Sequence, residues 1–161
     1  MPLIRDFRRS EFRQLWQIDQ DCFEPGISYS QRELAWYMQR PGAFTLVAEQ
    51  DGAICGFLVA AQMKGNTGHI ITIDVVAPAR RTGIGSELLR AAEDRLAREH
   101  CSAVQLEVAV NNAAAIRFYQ RHGYSILRTI PRYYNGELDA LLMDKPLAAA
   151  VVRVPPQAAS R

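Results

Sequence analysis

The run Arg80-Arg81-Thr82-Gly83-Ile84-Gly85-Ser86 has the residue types and spacing best suited to chemistry in this chain. It follows the apolar stretch Ile70–Val76 and precedes Glu87-Leu88-Leu89, so a strand should pass through a tight turn directly into a helix. The first N–H groups of a helix have no intrahelical acceptor and point outward, where they can bind an anion. Gly83 and Gly85 let a ligand approach the main chain without a Cβ in the way, and Arg80 and Arg81 add positive charge beside it. The segment reads as a phosphate cradle. A P-loop would place Lys-Ser/Thr after its second glycine, whereas Ser86-Glu87 stands here. A dinucleotide-binding turn would carry a third glycine where this chain has Leu88.

A second constellation lies downstream. Val104-Gln105-Leu106-Glu107-Val108-Ala109-Val110 alternates strictly, which puts Val104, Leu106, Val108 and Val110 on one face of a strand and Glu107 on the other. Asn111-Asn112 supplies a helix cap, and Ala113–His122 reads as a short helix ending at Gly123. The string contains Asn-x-x-Ala-x-x-x-Tyr-x-x-x-Gly-aromatic at Asn112, Ala115, Tyr119, Gly123 and Tyr124. Together with Arg-x-x-Gly-x-Gly at Arg80, Gly83 and Gly85, it resembles the two signatures of the GNAT superfamily of acyl-CoA-dependent N-acetyltransferases, in the same order. The resemblance implies an α/β (α+β) fold with a mixed, mostly antiparallel sheet of about six to seven strands flanked by about four helices. It also implies acetyl-CoA as co-substrate, held by Val75, Val76, Arg80, Arg81, Thr82, Gly83, Ile84, Gly85, Ser86, Asn112, Ala115 and Tyr119.

Acetyl transfer from a thioester to an amine makes three demands: a neutral amine, a stabilised oxyanion and a proton for the departing thiolate. By the resemblance, Tyr119 is the general acid; its reference pKa of about 10 keeps it protonated at neutral pH. Glu107 occupies the position of the family's general base. An unperturbed carboxylate, pKa about 4.3, is a weak base, so it would work through an ordered water or after partial burial. His69, just before the apolar strand, is an alternative or auxiliary base. The resemblance places the oxyanion donor at a backbone N–H near Val75 or Val76. No metal is expected, since His69, His100 and His122 show no ligand spacing with cysteines or carboxylates.

Two aromatic segments bear on the acceptor. Cys22-Phe23-Glu24-Pro25-Gly26-Ile27-Ser28-Tyr29 resembles the loop after the first helix of N-terminal acetyltransferases, the RimI-like enzymes among them. Pro131–Glu137 resembles their tyrosine-pair loop between the last two strands. Phe23, Tyr29, His69, Tyr133 and Tyr134 are therefore the expected acceptor-binding residues, and the expected acceptor is a protein N-terminus, with ribosomal proteins as candidates. An α-amine, pKa about 7.7 to 8.0, also asks less of a modest base than lysine at about 10.4. A polyamine or drug acetyltransferase is the alternative enzyme. A non-catalytic acetyl-CoA sensor is the alternative of another class, and the presence of both Glu107 and Tyr119 argues against it.

The elements that must position these residues follow from periodicity. Leu3–Phe7 is expected as a strand, and Ser10 as the cap of a helix bearing Phe12, Leu15, Trp16, Asp19, Cys22 and Phe23 on one side. Ser30-Gln31-Arg32-Glu33 is a capping box that opens a second helix. Phe44–Glu49 and Ile54–Gln62 form a hairpin, and Ile70–Val76 is the strand entering the cradle. Leu88, Leu89, Ala92 and Leu96 mark the buried stripe of the next helix, and Tyr124–Ile130 and Leu138–Met143 complete the strands. The order β-α-α-β-β-β-α-β-α-β-β is not a pure alternation and calls for a mixed sheet. Residues 1–147 are expected as one domain, with 148–161, Ala-, Val- and Pro-rich, as a mobile extension.

Composition narrows the class. With 161 residues, 48% of them hydrophobic, the chain can build one full core. A net charge of +2 with both signs interspersed lacks the basic stripe of a nucleic-acid binder. The N-terminus has no signal-like apolar core, and no run approaches a membrane span, so a cytoplasmic protein, monomer or homodimer, is expected. Cys22, Cys55 and Cys101 read as small buried hydrophobes in a reducing compartment.

Overall fold

The computed structural model describes residues 2–147; the segment expected as a mobile extension lies outside the described residues. β1 (Leu3–Asp6) leads through a 3-10 turn at Arg9–Glu11 into α1 (Phe12–Cys22), followed by α2 (Gln31–Met38). Next come β2 (Ala43–Gln50), β3 (Ala53–Met63), β4 (Thr67–Val75), a second 3-10 turn at Ala77–Ala79, and α3 (Ile84–Arg98). β5 (Ala103–Ala109), α4 (Ala113–Arg121), β6 (Ser125–Tyr134) and β7 (Leu138–Pro146) complete the described chain. The sheet has seven strands in the order β1-β2-β3-β4-β5-β7-β6. Only β4 and β5 run parallel; every other neighbouring pair is antiparallel. The element order is the one periodicity predicts.

Two cores hold the sheet between helices. On one face, the expected α3 stripe of Leu88, Leu89, Ala92 and Leu96 packs against Leu58, Ile70, Val104, Leu106 and Met143. On the other, Leu15, Ile18 and Leu34 from α1 and α2 pack on Val47, Phe57 and Val59. Each such buried leucine or phenylalanine contributes about 1.5–3 kcal/mol. The α2 capping box forms as expected, with Glu33 N–H donating to Ser30 Oγ (3.1 Å) and Ser30 N–H to Glu33 Oε1 (2.8 Å). Ser10, by contrast, caps nothing. It lies inside the 3-10 turn, where Glu11 Oε1 accepts from Arg8 N–H at 2.9 Å and Arg5 clamps the same carboxylate. Among the described residues no helix is long and apolar enough to cross a membrane.

The register of β4 decides where the site opens. Val59 pairs with Thr72 while Ala60 pairs with Ile70, so Ile71 is an extra residue, a β-bulge. The bulge inverts the alternation: Ile70 faces α3, as do Ile73 and Val75 beyond it, whereas Thr72 and Asp74 face α1. β4 and β5 are paired only from Thr67–Ile70 to Ala103–Leu106, and past that point they diverge into a wedge. Val76 N–H donates to Cys55 O (3.0 Å), which makes Gly56 and Val75 a non-hydrogen-bonded pair. The N–H and C=O of Val75, and by the same alternation those of Ile73, therefore point away from β3 into the wedge.

Candidate active site

Two clefts enter the wedge from opposite sides and meet at Ile73, Ala115 and Tyr119, which line both. The first, about 430 Å³, is walled by Val75, Arg80, Arg81, Gly83, Gly85 and Ser86. Gly83 caps α3 at φ 91°, a left-handed conformation that glycine adopts without strain. The first intrahelical bond runs from Glu87 N–H to Gly83 O (3.0 Å), which leaves the N–H groups of Ile84, Gly85 and Ser86 as helix-start donors. At Gly85 a Cβ would sit 3.4 Å from the Phe118 ring, an ordinary van der Waals contact.

Several expected cradle residues act from behind the cleft. Val76 N–H is already used by Cys55, so the N–H groups that face the wedge are those of Val75 and Ile73. The Thr82 hydroxyl donates to Ala79 O and braces the turn. The Ile84 side chain is buried in the core under the cradle. Asn112 caps α4, its Oδ1 accepting from Ala115 N–H at 3.2 Å, and lines the opposite cleft. Conversely, Cys22, Ala79, Ala114, Phe118 and Arg121 line the first cleft without having been singled out. Ala114, Phe118 and Arg121 follow i, i+4, i+7 spacing beside Ala115 and Tyr119, a signal the sequence does carry. Cys55 and Cys101 are buried as expected, but Cys22 is only half-buried, at the mouth of the wedge. Its Sγ lies 3.5 Å from Val75 O, and burial raises the thiol pKa, so it is no thiolate nucleophile.

The second cleft, about 950 Å³, has Phe23, Ile27 and Tyr29 on one side, Tyr133 and Tyr134 on the other, and Glu107 in its wall. The α1–α2 connection is fastened by its main chain. Tyr29 O accepts from Trp16 Nε1 (3.0 Å) and Gln20 Nε2 (2.7 Å), and Tyr29 N–H donates to Asp19 Oδ2 (2.8 Å). The Tyr29 ring packs on Tyr37 with centroids 5.0 Å apart. Tyr133 and Tyr134 are the last residues of β6 rather than part of a loop. The strand continues past an irregular register at Ile130–Tyr134 and holds the two rings 4.9 Å apart, edge to face. Burial and the Glu107 carboxylate push the Tyr133 hydroxyl up to about 12.

Glu107 does not stand alone. His69 lies within β4, which begins at Thr67 and so starts earlier than expected, and its Nε2 is 2.8 Å from Glu107 Oε1. The pair is 14% and 19% exposed. His69 is absent from the cleft lining and stands beside Glu107. Its Nδ1 is buried without a partner among the described residues, which fits the Nε2–H tautomer donating to the carboxylate. Tyr119, where the clefts join, is raised by burial and by Asp74, and so remains a proton donor across the working range.

A buried carboxyl pair underlies the junction. Asp19 on α1 and Asp74 on β4 are 0% and 1% exposed and face each other. Burial, reinforced by Asp19, raises Asp74 well above the usual carboxylate range, and Thr72 Oγ1 donates to its Oδ1. Burial raises both carboxyls, which favours a proton held between them, and Asp19 Oδ1 and Asp74 Oδ2 have no other hydrogen-bond partner among the described residues. In the sequence the only trace of this pair is an aspartate on the apolar stripe of α1.

Comparison with known proteins matches residues 12–124 to the acetyltransferase (GNAT) family. An uncharacterized N-acetyltransferase of Methanocaldococcus jannaschii is 35% identical, over 89% of this chain and 90% of its own length. An N-alpha-acetyltransferase of Sulfurisphaera tokodaii is 28% identical, over 89% and 92%. Among solved structures, Ard1 of Thermoplasma volcanium superposes with a TM-score of 0.82 at 27% identity, covering 91% of this chain and 97% of that one. The NatC complex bound to Gag peptide and CoA gives 0.76 at 27% identity, covering 91% and 98%.

Proposed function

The chain belongs to the acetyltransferase (GNAT) family, and from that premise we propose that it transfers the acetyl group of acetyl-CoA to the N-terminal α-amine of a protein. The observation that carries this reading is the junction of the two clefts at Tyr119, with cradle donors on one side and an aromatic-walled cleft containing Glu107 on the other. The first cleft fits the coenzyme: helix-start N–H groups and Arg80, Arg81 and Arg121 suit its phosphates, and Phe118 and Ile73 its apolar arm. Bound there, acetyl-CoA supplies the activated acyl group.

The protein's part is proton transfer, orientation and charge stabilisation. Glu107, held by His69, accepts the proton of the incoming amine directly or through water. The wedge-facing N–H groups of Ile73 and Val75 are the donors for negative charge developing on the thioester oxygen. Tyr119 donates to the departing sulfur. Phe23, Tyr29, Tyr133 and Tyr134 orient the acceptor's first residues, a task that suits rigid rings with one polar tip. The name of the Sulfurisphaera relative and the peptide held by the NatC complex support an N-terminal acceptor. The free thiols of Cys22, Cys55 and Cys101 suit a reducing, cytoplasmic setting.

The test compares short peptides with free and blocked N-termini against spermidine, using wild type and Tyr133→Ala. Free-N-terminus peptides are the expected substrates, and the variant should lose at least about tenfold in kcat/KM for them and little for spermidine. Preference of the wild type for spermidine over every free N-terminus would assign the chain to small amines instead.

A further inference from the structure

Resting on the N-terminal acceptor reading, we propose that the acceptor cleft selects chain starts by charge, using uncharged or basic first and second residues and discriminating against aspartate and glutamate. The two clefts segregate their charges. Arg80, Arg81 and Arg121 line the coenzyme cleft, which has no carboxylate in its lining among the described residues. Asp19, Glu24, Glu33 and Glu107 line the acceptor cleft, where among the described residues no lysine, arginine or histidine does. Composition does not impose this, because the chain has 19 basic and 17 acidic residues.

None of the four acceptor-side carboxylates is neutralised by a lysine or arginine among the described residues. Asp19 accepts from Tyr29 N–H at the floor, where burial raises its pKa, so the repulsion rests chiefly on Glu24, Glu33 and Glu107. Glu33 bonds Ser30 N–H at the start of α2, and Glu24 stands exposed at the rim beside Phe23. Glu107 meets His69 and the Tyr133 hydroxyl, neither of them a lysine or arginine. Arg40 is stacked over Trp36 (5.4 Å) and Tyr37 (6.0 Å) and does not line the cleft.

An acidic side chain entering this cleft would lose water and meet like charge with no cation to compensate. The tyrosine hydroxyls could hydrogen-bond it, but neutral donors do not offset that cost. A basic second residue gains from the same field, and an apolar first side chain finds Phe23, Ile27 and Ile71. Repulsion from several carboxylates, partly screened, amounts to roughly a tenfold discrimination.

The experiment uses the full chain with peptides identical from the third residue onward and beginning Met-Leu, Met-Lys or Met-Glu. The kcat/KM for Met-Leu and Met-Lys should exceed that for Met-Glu by about tenfold at low ionic strength, and the gap should narrow in about 0.5 M salt. Glu24→Lys, an exposed substitution, should raise the Met-Glu to Met-Lys ratio several-fold, and Glu24→Gln should raise it less. Equal or better use of Met-Glu, or a ratio insensitive to both salt and Glu24, overturns the charge inference while the N-terminal reading stands. Acetylation of spermidine but of no peptide overturns the N-terminal reading, and the charge inference falls with it.

Discussion

Replacing Tyr119 by phenylalanine removes one oxygen at the point where the two clefts meet. The ring keeps its edge-to-face contacts with Phe118 (5.3 Å) and Tyr124 (5.7 Å), so the α4 packing should survive. The hydroxyl takes part in none of the side-chain hydrogen bonds among the described residues that tie elements together, so melting should shift by less than about 3 °C, corresponding to about 1 kcal/mol. Coenzyme affinity should stay within about threefold. Turnover is another matter. A thiolate with a reference pKa near 8.5 needs a proton as it leaves, and a positioned acid contributes about 10²–10⁴-fold. Both clefts open to solvent, so water can replace the phenol in part, and the loss should fall near the lower end, about 10²-fold or about 2.7 kcal/mol. The pH profile provides a second check. Burial and Asp74 hold the phenol above its usual pKa of about 10, so its protonated form persists through about pH 9.5. The wild-type rate should rise as the acceptor α-amine deprotonates near pH 7.7–8.0 and then level off, without an alkaline fall. Continuous thiol-release assays with a saturating peptide, beside calorimetric titration of the coenzyme, measure all of this. Near-normal turnover in the phenylalanine variant would refute the assignment of Tyr119 as the acid.

Gly83→Ala places a Cβ where nothing lies within 4 Å but φ is 91°, so strain alone should cost about 1–2 kcal/mol, lowering the melting temperature by about 2–8 °C. Coenzyme binding should weaken alongside, and an unchanged dissociation constant in calorimetry would contradict the cradle. Asp74→Asn tests the shared proton: a raised carboxyl binds a proton in the folded state that the unfolded chain releases, so wild-type stability falls as pH rises from about 4 through the folded-state pKa. The asparagine variant keeps an N–H donor toward Asp19 without that titration, so its melting temperature relative to wild type should be higher at pH 8 than at pH 5. Parallel wild-type and variant melting curves across that range would show that no shared proton exists.

Much of this site is legible in one dimension because it depends on local geometry. A strand running into Gly83 and then a helix requires only backbone propensity and the unpaired N–H groups of a helix start. The strict alternation of Val104 to Val108 puts Glu107 opposite the core, and Asn112 and the Ser30–Glu33 box announce their helices through side chains that reach only three residues. Ser10 misled for the same kind of reason, since a cap-forming residue type says nothing of the 3-10 turn that Glu11 and Arg5 stabilise. The bulge at Ile71 lies in the run Ile70-Ile71-Thr72-Ile73, where apolar residues on both faces leave no alternation to break. Only pairing with β3 reveals it, and it is what turns Asp74 toward Asp19 and opens the backbone of Ile73 and Val75 to the wedge. The hydrogen bond of His69 with Glu107 joins residues 38 apart, and Tyr133 and Tyr134 owe their place to an extension of β6 along β7. Periodicity reports which face of its own element a residue occupies. Which residues from different elements come to share a cleft is settled by strand register and by where two strands part, and those depend on packing across the whole sheet.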